Sequence, residues 1–175
     1  DWARTQTRKV NMNPARLQLR ELVDEVISLQ SLQASVKNIQ LINEIDKGTE
    51  VYADKNMINT VIRNIVGNAI KYTREGGRVS LSAAQKNTHV EIMITDNGIG
   101  IVESQRKALF ELDRMNSSAG TSGETGTGLG LIVCHEFIKL NGGHINVDSD
   151  PGKGSTFTLT LPGKGTSSIP GKGTS

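Results

Sequence analysis

What most constrains the fold of this chain is the order in which two periodicities follow one another along it. Residues 17–34 carry Leu19, Leu22, Val23, Val26, Ile27 and Leu29 near the 3.6-residue spacing that gathers apolar side chains on one helical face. Two strand-like runs follow at residues 39–45 and 50–53, with Lys47-Gly48 as the turn between them, and read as a hairpin or an edge pair. Asp54 then stands as the cap of a second helix, whose stripe is Met57, Ile58, Val61, Ile62, Ile65 and Ala69 and which ends between Tyr72 and Gly76. Residues 78–84 and 89–95 alternate with period two, most clearly Val90, Ile92 and Ile94 against Glu91, Met93 and Thr95, so one face is buried. A short helix over 103–110, a Ser/Gly/Thr-rich loop over 116–126, a helix over 129–140 stopped by Asn141-Gly142-Gly143, and strands over 144–149 and 155–161 complete the order. The sequence α, ββ, α, ββ, α, α, ββ predicts a two-layer α/β sandwich, a mixed, mostly antiparallel sheet with helices on one face. A doubly wound parallel fold does not fit strands that come in pairs.

At 175 residues the chain suits one core, and with aromatic residues at 3% that core must be filled by aliphatic side chains. The single cysteine, Cys134, excludes an internal disulfide and lies in an apolar run, which reads as a buried thiol in a reducing, cytoplasmic setting. No run reaches the roughly 18 apolar residues of a membrane span, so attachment to a membrane is expected only through other parts of a longer protein. A net charge of +2 with scattered Lys and Arg carries no nucleic-acid footprint. The hexapeptide Pro-Gly-Lys-Gly-Thr-Ser occurs at 162–167 and again at 170–175, and residues 163–175 read as a disordered tail, natural or a cloning scar.

Three segments carry chemistry. Asn64, Asn68 and Lys71 stand at i, i+4 and i+7, which puts two amide oxygens and an ammonium on one helical face. Such a face suits a magnesium-bound polyphosphate, because amide oxygens ligate the metal or its waters and Lys offers a point charge to phosphate; a solvated polar face is the plain alternative. Asp96-Asn97-Gly98-Ile99-Gly100 follows a strand, so its glycines let the chain approach a ligand and Asp96 can accept from a base amino group, though the same residues also make an ordinary turn. Gly126-Thr127-Gly128-Leu129-Gly130-Leu131 opens a helix, where backbone N–H groups and the helix dipole favour phosphate. It lacks the βαβ setting of a dinucleotide site, and there is no Gly-Lys-Ser/Thr phosphate loop ahead of a helix.

Together and in this order, residues 17–162 resemble the catalytic domain of sensor histidine kinases, in the superfamily shared with DNA gyrase, mismatch-repair ATPases and a heat-shock chaperone. Asn64 to Thr73 looks like the family's asparagine box, Phe110 its phenylalanine box, Asp96 to Gly100 and Gly126 to Leu131 its two glycine boxes, and Gly152 to Phe157 its last box. The resemblance implies a Bergerat-type ATP fold that binds ATP with Mg2+ and passes the γ-phosphoryl group to a histidine on a separate dimerisation domain, with a response regulator downstream. It implies Asp96 on the adenine amino group, Gly98 and Gly100 around the base, Asn64 and Asn68 near the metal, and Lys71 at the phosphates. It further implies Tyr72 bordering the nucleotide, the backbone of Gly126, Thr127, Gly128, Leu129 and Gly130 around the phosphates, and Ser155 reaching the adenine through water. The loop before Gly126 takes the place of the family's mobile lid, and Arg114 stands where a basic residue often lies near it, although Glu111 to Met115 depart from the usual sequence. Residues 1–16 resemble the segment that follows the histidine-bearing helices, which are expected to precede this sequence. A degenerate nucleotide-binding module and an ATP-hydrolysing member of the superfamily are the alternatives; hydrolysing members carry Glu where Asn64 stands. Of the three histidines, His135-Glu136 imitates an acceptor pair but lies in the helix after the glycines, followed by Phe137, Ile138 and Leu140, so it is not expected to be phosphorylated.

Overall fold

In the computed structural model, the structure describes residues 11–110 and 130–163. The elements are β1 (Pro14–Gln18), α1 (Leu19–Val36), β2 (Gln40–Asn43), β3 (Glu50–Asp54), α2 (Lys55–Tyr72), β4 (Arg78–Gln85), β5 (His89–Asp96), α3 (Glu103–Lys107), α4 (Gly130–Leu140), β6 (His144–Asp150) and β7 (Gly154–Pro162). Five strands form the main sheet in the order β2-β4-β5-β7-β6, with β2 parallel to β4 and every other pair antiparallel. The fold is therefore the expected two-layer sandwich with a mixed, mostly antiparallel sheet.

Alternation along the strands decides which face the helices cover. Val79 and Leu81 on β4, Val90, Ile92 and Ile94 on β5, Ile145 and Val147 on β6 and Phe157 and Leu159 on β7 are buried and join the stripes of α1, α2 and α4 in one core. The opposite side of the sheet carries Ser80, Ser82, Glu91, Thr95, Thr156 and Thr158, with Thr95 and Thr156 hydroxyls 3.1 Å apart across the register pair. This is the half-buried pattern of an antiparallel sheet that meets water on one face. Cys134 lies in the core, as its apolar run predicts, and burial pushes its thiol up to about 12.

Four differences from the sequence reading are instructive. Runs 39–45 and 50–53 do not pair with each other: β2 adds to the edge of the main sheet beside β4, while β3 forms a separate two-stranded ribbon with β1. The turn exists, with Gly48 at φ 88 and Thr49 N–H on the Asp46 carbonyl, but it leads out of one sheet into the other. The chain before it is tied down on α1, because Asn43 donates to the Arg20 carbonyl and Asp24, and Arg20 donates to the Ile45 carbonyl. β1 itself was not foreseen; only Leu17 in it is buried, too little for a period to show. The helix expected over 103–110 closes as α3 at Lys107. Gly163, expected to head a loose tail, is buried and donates its N–H to the Thr88 carbonyl.

The three longer helices lie with α2 in the middle. Gln30 of α1 and Lys37 at its C-cap reach carbonyls of Arg63 and Ile70, so α1 runs parallel to α2. Asn141 at the end of α4 meets Asp54 at the start of α2, while Gly130 at the start of α4 meets Asn64, so α4 runs antiparallel. Asp54 caps α2 as predicted: its Oδ1 accepts from Met57 N–H at 3.1 Å, an interaction whose loss typically costs about 1 kcal/mol. Among the described residues, no helix is long and apolar enough to cross a membrane.

Candidate nucleotide site

Period-two alternation places Asp96 where the next core residue of β5 would stand, after Val90, Ile92 and Ile94 on the helix-covered face. It is 8% exposed. Burial raises its pKa above the ordinary carboxylate value, and backbone N–H groups of Gly98 and Ser155 pull it back in part. The Gly98 bond is 2.9 Å long and closes a tight turn directly after the strand. A carboxylate held in this way at the rim of a core is a preset hydrogen-bond acceptor.

The turn is locked from both sides. Ile99 donates its N–H to the Tyr72 carbonyl at 3.1 Å, joining the loop to the end of α2, and Gly152 donates to the Ile99 carbonyl at 2.7 Å, joining it to the β6–β7 turn. Neither glycine of the turn can be replaced without a collision: a β-carbon on Gly98 would overlap the Tyr72 carbonyl, and one on Gly100, at φ 74, would overlap the Asp150 carbonyl. Ser155 is the register partner of Asp96, and its hydroxyl lies 2.7 Å from that of Ser149, which also binds the Gly154 carbonyl and accepts from Ile101 N–H. Ser149 was missed in the sequence; a lone serine in a strand gives no signal.

Asn64, Asn68, Lys71 and Tyr72 are all half-exposed on α2, as their spacing requires. Asn64 donates from its amide nitrogen to the Thr60 carbonyl at 2.9 Å, which leaves Oδ1 as its acceptor. That oxygen stands 3.2 Å from where a β-carbon of Gly130 would be, so the N-terminus of the 11-residue α4 abuts it. Lys71 Nζ lies 5.0 Å from the centre of the Tyr72 ring. From Asn64 to Lys71 the face runs about 10 Å along the helix, starting at a helix N-terminus that favours anions and ending beside the Asp96 turn. Gly126, Thr127, Gly128, Leu129 and Arg114 lie outside the described residues, as does the loop expected over 116–126.

The donor set bears on magnesium. Among the described residues no group of three His, Cys, Asp or Glu is placed to hold a metal ion. Neutral amide oxygens on Asn64 and Asn68 fit instead an ion that arrives with a polyphosphate and keeps several of its waters, as magnesium does. When bound, such an ion would neutralise charge on the phosphates; Asn64 and Asn68 are the side chains that would hold it. Phe110 packs against the core and stacks on His135, ring centres 5.5 Å apart, so that imidazole is engaged from one side.

Comparison with known proteins agrees with this fold. The sequence profile of the histidine kinase-, DNA gyrase B-, and HSP90-like ATPase family matches residues 53–165. The adaptive-response sensory kinase SasA of Prochlorococcus marinus (strain MIT 9313) is 36% identical over 153 residues, which cover 86% of this chain and 41% of that protein. The chain thus spans about two fifths of this curated relative. Among solved structures, full-length ShkA in complex with AMPPNP superposes with a TM-score of 0.80 at 25% identity, over 95% of this chain and 35% of ShkA. The catalytic domain of histidine kinase ThkA matches with a TM-score of 0.75 at 28% identity, over 86% of this chain and 98% of that domain. ThkA in complex with the response regulator protein TrrA matches at 0.70 and 26%, over 85% of this chain and 41% of that one. The match over residues 53–165, more than half of the chain, places it in the histidine kinase-, DNA gyrase B-, and HSP90-like ATPase family, with sensor histidine kinases as its relatives.

Proposed function

We propose that residues 17–162 are the catalytic unit of a two-component sensor histidine kinase, which binds Mg-ATP and transfers the γ-phosphoryl group to a histidine on a separate dimerisation domain. The observation that carries this reading is the single surface formed by α2, running from Asn64 at the N-terminus of α4 to Tyr72 at the Asp96 turn. Adenine belongs at the Asp96 end, where the carboxylate accepts from the exocyclic amino group beside Gly98, Gly100 and Ser155. The polyphosphate belongs along Asn68 and Lys71 toward Asn64 and Gly130, with Gly126 to Leu129 completing its cradle. Catalysis there is mainly positioning and charge stabilisation. The unit works in the cytoplasm and serves a response regulator, as ThkA is seen to bind TrrA.

Asn64 separates this reading from ATP hydrolysis. An amide cannot take a proton from an attacking water as a carboxylate can, so turnover of bound ATP by the isolated chain stays well below about 1 per second. The test uses labelled ATP, the chain and a separately supplied histidine-bearing dimerisation domain. Acid-labile label is expected on the added domain alone. Label on the isolated chain that disappears in His135→Gln, or no transfer despite tight ATP binding, would sink the proposal.

A further inference from the structure

α1 and α4 end in the same way, and both ends reach α2. At the end of α1, Asn38 takes a left-handed φ of 52, its N–H binds the Ser35 carbonyl, and Ile39 N–H binds the Ala34 carbonyl. At the end of α4, Gly142 at φ 79 binds Lys139 and Gly143 binds Ile138 in the same two-bond pattern. These are Schellman closures, which fix the direction of the residue just before the left-handed one. In α4 that residue is Asn141, fully buried, whose side chain accepts from Asp54 N–H at 2.8 Å and donates to the Phe137 carbonyl at 2.7 Å. In α1 it is Lys37, 4% exposed, whose ammonium donates to the Ile70 carbonyl at 2.8 Å and the Lys71 carbonyl at 3.1 Å.

From this we infer that Lys37 is a positioning residue for the nucleotide site. The last carbonyls of a helix have no partner within it. On α2 three carbonyls in succession are met from outside the helix: Ile70, which also accepts from Thr73 N–H, and Lys71 by Lys37, and Tyr72 by Ile99 of the Asp96 turn. Lys37 also receives Gly76 N–H on its own carbonyl at 2.8 Å, so the turn leaving α2 is clasped to the same residue. A cation on the carbonyl end of a helix is electrostatically favoured, and more so away from water. The ammonium therefore holds the final turn of α2 in one place, and with it the Tyr72 carbonyl on which the Gly98–Ile99 loop hangs. Lys37 touches neither base nor phosphate on this assignment; it acts through the backbone of Ile70 to Tyr72.

The inference rests on the proposed ATP site, and the experiment keeps the two apart. Lys37→Met retains the apolar stem and removes the donors; Lys86→Met, at an exposed lysine paired with Glu91, is the control. Two readouts are taken at a temperature where all variants are folded: calorimetric Kd for Mg-ATP, and amide exchange at Ile99 relative to Val61 in the middle of α2. For Lys37→Met the Kd is expected to rise roughly tenfold, as for loss of a charge-assisted hydrogen bond, with exchange at Ile99 faster and at Val61 unchanged. An unchanged Kd with unchanged Ile99 exchange overturns the inference, and so does a uniform loss of protection at both sites, which is what a merely structural lysine would give. If Lys37→Met does not fold, Lys37→Gln, which keeps two neutral N–H donors on a shorter stem but loses the charge, is read in the same way. Failure of the wild-type chain to bind ATP counts against the proposed function instead, while the Ile99 measurement still decides whether Lys37 holds the turn.

Discussion

The two ends of the site are built from different materials. At the Asp96 end the parts are mostly backbone: Tyr72, Ile99 and Gly152 are joined through main-chain N–H and carbonyl groups, and the Tyr72 and Asp150 carbonyls leave no room for a β-carbon on Gly98 and Gly100. At the Asn64 end the parts are half-exposed side chains standing on a helix whose fold does not depend on them. One end is tied into the protein's interior, the other is an attachment to its surface. On the proposed assignment the first end receives a flat base, which needs a preset shape, and that comes from close backbone contact. A flexible, hydrated polyphosphate needs charge and donors, which longer side chains and a helix terminus deliver.

This contrast can be broken most severely at Gly100. Gly100→Ala forces a residue with a β-carbon into φ 74 against the Asp150 carbonyl, and a loss of about 3 kcal/mol of stability is expected. Urea unfolding measures it; a midpoint equal to wild type would show that the base end is less interlocked than its contacts imply. Next in size is Asp96→Asn, which should weaken ATP roughly a hundredfold by turning an acceptor toward a donor yet leave the fold intact. The apo protein should in fact melt higher at neutral pH, since the ionised carboxylate is the form that burial disfavours. Calorimetry and thermal melts on one variant read both, and a lower melting temperature would contradict the burial effect.

Lys71→Ala is expected to do less, about a tenfold loss of ATP affinity with unchanged melting, and a loss that shrinks as salt rises because the contact is half-exposed. If Lys71→Ala destabilised the fold as much as Gly100→Ala, the distinction between the two ends would fall. The smallest effect is pH dependence. Because the native pKa of Asp96 is raised, the folded state binds a proton that the unfolded chain has released. Apo stability from this residue is thus fullest below the ordinary carboxylate value and is lost as pH rises through Asp96's own. ATP affinity moves the other way, weakening on acidification as the acceptor is neutralised. Both trends should vanish in Asp96→Asn; a pH profile that survives the substitution would assign them to another group.

Residues that act locally were legible, and those that act at a distance were not. Asp54 as a cap, the stripe of α2, the polar face at Asn64, Asn68 and Lys71, and the alternation of β5 up to the Asp96 turn all follow from spacing within a few residues. The partnership of β2 with β4 and of β3 with β1 does not, because a turn at Gly48 is compatible with a hairpin and only the ties of Arg20 and Asn43 to their neighbours decide against it. Lys37 and Asn141 were hidden for a related reason. Their positions at helix ends can be read from Asn38 and from Gly142-Gly143, but their partners lie 33 and 87 residues away in the chain. A buried lysine in sequence looks like any surface lysine.

The place of β7 in the sheet carries a further consequence, for how the protein is made. Of the described strands of this sheet it is the last in chain order, yet it lies inside the sheet, flanked by β5 on one side and β6 on the other. Until it arrives, β5 shows an unfilled edge and the apolar row Val90, Ile92 and Ile94 lacks Phe157, Leu159 and Leu161 beside it. Nearly all of residues 17–162 must therefore be synthesised before this core can close, and a nascent chain halted short of Gly154 leaves that strand edge and apolar row uncovered.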